Sequence, residues 1–87
     1  MKNALDMELF LIGVLSGSYT TRLRHIRQAK AIQKAIADRW QRENPWTWQR
    51  KHFLWFLNYH LNGHSQSTRY YFTLTIRLLT KRLGKPW

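Results

Sequence analysis

From Thr20 to Asn44 the chain contains neither glycine nor proline. Its alanine, glutamine, lysine and arginine content favours helix over that whole stretch, and Thr20 or Thr21 is placed to cap the start. Whatever else the chain forms has to pack against this helix. At about 100° per residue, Ile26, Ala29, Ile32, Ile36, Ala37 and Trp40 share one side of it, while Arg24, Arg27, Lys30, Lys34 and Arg42 occupy the other. One face is built to pack, and the opposite face is strongly basic.

The flanking segments read as three further helices. Leu5, Leu9, Ile12 and Leu15 recur at helical spacing ahead of the stop Ser16-Gly17-Ser18, predicting a first helix over about 3–15, with a strand over 10–15 as the competing reading. Asn44-Pro45 suits an N-cap followed by proline at the first helical position, so a third helix is expected to run to Leu61 before Asn62-Gly63. It carries Trp48, Phe53, Leu54, Trp55, Phe56, Leu57, Tyr59 and Leu61 almost all round its circumference, as an element enclosed by others does. Beyond the polar connection His64-Ser65-Gln66-Ser67-Thr68, a fourth helix places Phe72, Ile76, Leu79 and Leu83 with Tyr71, Leu74 and Leu78 on one broad apolar side, closed by Gly84 and Pro86. Alternation through Tyr71, Thr73, Thr75 and Arg77 also allows a strand there. The pattern reaching to Leu83, with caps at both ends, favours helix. The expectation is an all-α, four-helix domain spanning residues 1–87, with no repeat and short connections.

Length and charge narrow the function. Eighty-seven residues hold one domain, and thirteen aromatic residues supply a core that argues against disorder. Fifteen Lys and Arg against four acidic residues give a formal charge of +11, so polyanions are the expected partners. The absence of cysteine removes disulfides, thiolate metal sites and a cysteine nucleophile, and fits a reducing cytoplasmic setting. The apolar run from Leu9 to Leu15 is interrupted by Gly13 and too short to span a bilayer, so no membrane role is expected from it.

Two basic faces stand out. On the fourth helix Arg69, Thr73, Arg77 and Lys81 fall at steps of four, flanked by Tyr70 and Thr80, and form a ladder that rises about 18 Å, enough to track several phosphates. No acidic residue follows Glu43 to neutralise it. On the second helix Arg22, Arg24, Arg27, Lys30 and Lys34 suit phosphate contact better than base reading. Thr68, like Thr20, Thr21, Ser65 and Ser67, sits at an expected helix start, where free N–H groups and a hydroxyl can meet a phosphate, although capping alone explains each. His25, His52, His60 and His64 offer only one local pair, His60 and His64, with no Cys, Asp or Glu nearby to complete a metal site. No paired carboxylates, Ser-His-Asp set or glycine-rich phosphate loop is visible, so neither catalysis nor a cofactor is expected.

The order of features resembles the N-terminal core-binding (SAM-like) domain of tyrosine recombinases and phage integrases. The resemblance lies in Ser18-Tyr19-Thr20-Thr21-Arg22-Leu23-Arg24-His25 leading into a long helix, in Trp46-Thr47-Trp48-Gln49, and in Ser65-Gln66-Ser67-Thr68-Arg69-Tyr70-Tyr71 through Arg77-Leu78-Leu79. Leu83-Gly84-Lys85-Pro86-Trp87 is similar to the start of that family's interdomain linker. The resemblance implies an orthogonal four-helix bundle of bacterial or phage origin that clamps double-stranded DNA with its second and fourth helices. It also implies a catalytic domain, with Arg, His and a Tyr nucleophile, that these residues do not include, and assembly as a homo-oligomer on DNA. None of Tyr19, Tyr59, Tyr70 or Tyr71 takes the nucleophile's role on this reading. The competing readings are a small RNA-binding regulator of the FinO or ProQ type, and a membrane-surface or protein-interaction module using the basic second helix.

Overall fold

The structure, a computed structural model, describes residues 6–86, and the long uninterrupted run forms the helix α2, Tyr19–Trp40. Its cap is Ser18 rather than either threonine. Ser18 Oγ accepts the Thr21 N–H at 3.2 Å and donates to Thr21 Oγ1 at 3.0 Å, so Thr20 and Thr21 lie inside the first turn. The helix ends well before Asn44, at Gln41, which takes a left-handed conformation (φ 59°) and returns its N–H to Ala37 O at 2.7 Å. The chain leaves the helix because side chains claim the carbonyls beyond. Gln33 Nε2 donates to Glu43 O at 2.8 Å and the Trp48 indole N–H donates to Arg42 O at 2.7 Å.

The same Ser-x-x-Thr device opens α4, Gln66–Leu83: Ser65 Oγ accepts the Thr68 N–H at 3.1 Å and donates to Thr68 Oγ1 at 3.0 Å. The segment is helix and not strand. Its threonines, which favour strand by propensity, fold their hydroxyls back onto the helix, Thr73 to Arg69 O and Thr80 to Arg77 O, both at 2.9 Å. Gly84, at φ 70°, supplies the left-handed turn that lets Lys85 N–H close on Thr80 O at 3.0 Å.

The first and third helices depart further from expectation. α1 is Met7–Leu11, capped by Asp6, whose Oδ1 accepts the N–H groups of Glu8 and Leu9. The expected start at residues 3–5 lies outside the described residues, and the chain turns at Ile12 rather than Leu15. Met7, Phe10 and Leu11 face inward, which leaves Leu9 and Ile12 about two-thirds exposed, at 65% and 67%. Asn44-Pro45 starts only a 3₁₀ turn, Pro45–Thr47, with Asn44 Oδ1 accepting the Trp46 N–H at 3.0 Å. The chain then extends through Trp48, which buries its indole, before α3, Arg50–Trp55, begins. α3 passes directly into a π-helical turn, Phe56–His60, whose wider winding is closed by Leu61 N–H to Phe56 O at 3.0 Å. The stretch is not enclosed on all sides: Phe53, Phe56 and Leu61 are buried, while Leu54 and Tyr59 are exposed.

These elements make an all-helical compact globule of four α-helices, with no strand among the described residues. α2 packs against α1, α4 and the π turn, and α4 reaches α1, the 3₁₀ turn and the π turn. Their common core holds Leu11, Ala29, Ile32, Ile36, Phe56 and Leu79, all fully buried. Ile26, Ala29, Ile32 and Ile36 are inward as their spacing requires; Ala37 and Trp40 lie at the margin of the stripe, and His25 and Ala35 join it. Among the described residues no helix is long and apolar enough to cross a membrane.

Polar groups fix how the helices meet. Thr75, fully buried on α4, donates to Gln28 Oε1 at 2.7 Å, which leaves its oxygen to accept from His25 Nδ1 at 2.8 Å. Arg82 ties three elements: its Nε donates to Phe10 O at 2.8 Å, and its guanidinium lies over the Phe10 and Trp46 rings, which meet edge to face. His52 Nδ1 accepts the Gln49 N–H at 2.8 Å, so a second ring proton there would oppose a donor. Its Nε2 is buried without a hydrogen-bond partner, beside the Trp40 ring.

Burial, followed by the adjacent Arg24 charge for His25 and the Lys51 and Arg42 charges for His52, lowers both histidines below their ordinary 6.5. The unfolded chain therefore takes up protons first as pH falls, and the folded state loses stability progressively below about pH 6.5. Urea titrations at pH 7.5 and pH 5 should show a lower midpoint at pH 5. Replacing both histidines should reduce that dependence. Thr75→Val should cost about 1–3 kcal/mol, because it leaves the His25 donor without its acceptor, whereas Thr75→Ser should cost much less. Denaturant midpoints at constant m-value provide the check.

Candidate nucleic-acid interface

The candidate contacts on α4 emerge on the side remote from α2. Measured at about 100° per residue from Thr75, which faces α2, Arg69, Thr73, Arg77 and Lys81 lie at about 120°, 160°, 200° and 240°. Arg69, Arg77 and Lys81 are exposed, and none makes an ion pair among the described residues. Thr73 is half-buried with its hydroxyl bonded to Arg69 O, so it spaces the ladder rather than extending it. Thr68 is likewise half-buried and joined to Ser65 in the cap. Thr80, expected beside the ladder, is buried.

The residues expected on α2 divide into three groups. Arg24 turns inward: its Nε is buried without a hydrogen-bond partner and its guanidinium lies 4.5 Å from the centroid of the Tyr71 ring, where it covers the α2–α4 junction. Arg22 is exposed beside the first turn of α2 and lines an apolar groove of about 400 Å³ with Glu8, Ile12 and Tyr19. Arg27, Lys30 and Lys34 are exposed, at about 200°, 140° and 180° round α2 from His25. Lys34 Nζ pairs with Asp38 Oδ2 at 3.1 Å, and the shallow cleft that Lys30 and Lys34 line also holds Asp38 and Glu43.

Two consequences follow from this placement. His25 and Thr75 are where the helices touch, so the outer faces of α2 and α4 point away from each other across the pair. Of the chain's four acidic residues, Asp6 and Glu8 lie at α1, while Asp38 and Glu43 line the outer cleft of α2. None lies on α4, so its face carries cations with no internal counter-charge.

The structure also adds neighbours that residue spacing did not single out. Beside Arg69 runs a groove of about 330 Å³ lined by Leu57, Asn58, Gln66, Arg69, Tyr70 and Thr73. It exists because the π turn carries Leu57 and Asn58 alongside the first turns of α4, and no periodic pattern signals a π turn. Among the described residues no three His, Asp or Glu side chains gather as a metal site would need.

No protein-family model matches the sequence, and neither the curated proteins nor the solved structures contain a match.

The division of the cations predicts opposite behaviour in stability and binding. Changing Arg69, Arg77 and Lys81 together to Ala should change the unfolding free energy by no more than about 0.5 kcal/mol per site, as exposed substitutions do. Arg24→Ala should lower stability by about 1 kcal/mol through loss of its cover over Tyr71. Calorimetry on the two variants distinguishes the roles.

Proposed function

We propose that this chain is a binding module for duplex DNA, without catalysis of its own, that contacts successive phosphates through Arg69, Arg77 and Lys81 on α4. The observation that carries this reading is that the three cations stand in one exposed row, unpaired among the described residues, on the helix that bears no acidic residue. A row about 18 Å long matches a run of backbone phosphates. Such contacts give affinity and orientation with little sequence information.

The sequence resemblance makes a core-binding, SAM-like domain of a tyrosine recombinase the more specific form of this proposal. The short α1, the paired Ser-x-x-Thr starts of α2 and α4, and the basic α4 support it. On that reading the module works beside a recombinase catalytic domain in a bacterial or phage-infected cytoplasm. Its contact with the duplex is one-sided, through α4, with the outer face of α2 left for a different neighbour or for solvent.

Titration of a short duplex at several salt concentrations tests the proposal. The affinity should fall steeply with salt, and the Arg69, Arg77 and Lys81 triple alanine variant should flatten the slope of log K against log salt by about three. Alanine at Arg27, Lys30 and Lys34 should change it by less, since Lys34 is already paired. Unchanged affinity in the α4 variant contradicts the assigned face. Tighter binding to structured RNA than to the duplex would favour an RNA regulator instead.

A further inference from the structure

We infer that the groove between the π turn and the start of α4 receives a single unpaired nucleotide, with Tyr70 stacking on its base and the Asn58 and Gln66 amides reading its edge. This rests on the proposed contact of α4 with nucleic acid and names what is recognised at one end of the ladder.

Three independent features converge there. The first is the composition of the groove. Leu57 gives it an apolar wall, Tyr70, a residue 59% exposed, an aromatic ring, and Asn58 and Gln66 two amides with both donor and acceptor groups. Neither amide has a hydrogen-bond partner among the described residues, so both remain available to a ligand. A volume of about 330 Å³ is at the small end of the roughly 300–1,000 Å³ range of ligand pockets, room for one nucleotide and not for a stacked run.

The second feature is the π turn. Uninterrupted α-helical winding through Phe56–His60 would rotate Asn58 and Tyr59 away from their present positions; the wider turn is a rare conformation that recurs at functional sites. Its core side is well anchored, with Phe56 fully buried against His60 and Phe72, so the distortion is held by packing. The third is the position of Arg69, which lines the groove and also begins the ladder. A phosphate held by Arg69 places the attached base within reach of Tyr70, one residue along. The same strand can then continue past Arg77 and Lys81.

The ligand class follows from this chemistry. A flat ring that accepts stacking, an edge carrying donors and acceptors, and an anionic phosphate are the three parts of a nucleotide. In a perfect duplex the base is stacked inside and its ring face is hidden from Tyr70, so the site requires a nucleotide already out of the stack, as at a bulge, a gap or a strand end.

The test compares a fully paired duplex with the same duplex carrying one extra unpaired nucleotide, using the whole chain. The bulged duplex should bind about tenfold more tightly, the scale of one base stacked on an aromatic ring. Tyr70→Ala should abolish the preference while leaving the paired-duplex affinity and its salt slope as they were, and Tyr70→Phe should retain it. Asn58→Ala with Gln66→Ala should narrow the differences between bases placed at the bulge. Equal affinity of the unaltered chain for both duplexes overturns the inference and leaves the phosphate ladder standing. Binding to the bulged form alone overturns duplex recognition and leaves the nucleotide site standing. Binding to neither overturns both.

Discussion

The hydrogen bonds that Thr75 makes across the helix pair set how α4 is turned about its own axis. Apolar packing between helices tolerates some rotation, because Leu79, Ile76 and Leu78 can fill neighbouring spaces with similar area. A buried hydroxyl does not. Thr75 has to present its oxygen to His25 and its proton to Gln28 at once, and a rotation of one residue's step would leave all three groups short of partners. With Thr75 turned inward, a four-residue repeat on the other side is turned outward. Arg69, Arg77 and Lys81 reach solvent as a consequence of a contact on the opposite face.

The distribution of charge then separates the two basic helices. Sequence alone counts cations and shows their spacing. It does not show that Asp38 and Glu43 share a cleft with Lys30 and Lys34, or that Arg24 lies over an aromatic ring. A paired lysine releases fewer counterions on binding a polyanion than a free one, so on the proposed reading α4 is the stronger contact although α2 carries more basic residues, six against four. Arg82 makes the same point from the other direction. It follows the ladder in the sequence, yet it is spent holding α1 and the 3₁₀ turn against α4.

Much of the architecture was legible because it depends on local signals. The all-helical class, the two long helices, the glycine stop at Gly84 and the apolar stripe of Ile26, Ala29, Ile32 and Ile36 follow from spacing and capping chemistry. What could not be read depends on contacts between distant segments. Asn44-Pro45 is a sound helix start, but the helix it opens stops after one turn because the Trp48 indole is drawn down to Arg42 O. The π turn reflects the packing of Phe56 and His60, and the groove beside it depends on where α4 returns. The inward rotation of Thr75 was hidden because threonine is polar and the pattern of α4 is carried by its leucines.

The central claim is that one side of α4, set by Thr75, is where this chain meets nucleic acid. Amide chemical shifts recorded residue by residue, during titration with a short duplex, test it most directly. The largest changes should fall on Arg69, Arg77 and Lys81 and on Thr73 between them, with Lys30 and Lys34 little affected. Changes concentrated on Arg27, Lys30 and Lys34, with the α4 residues silent, would contradict it.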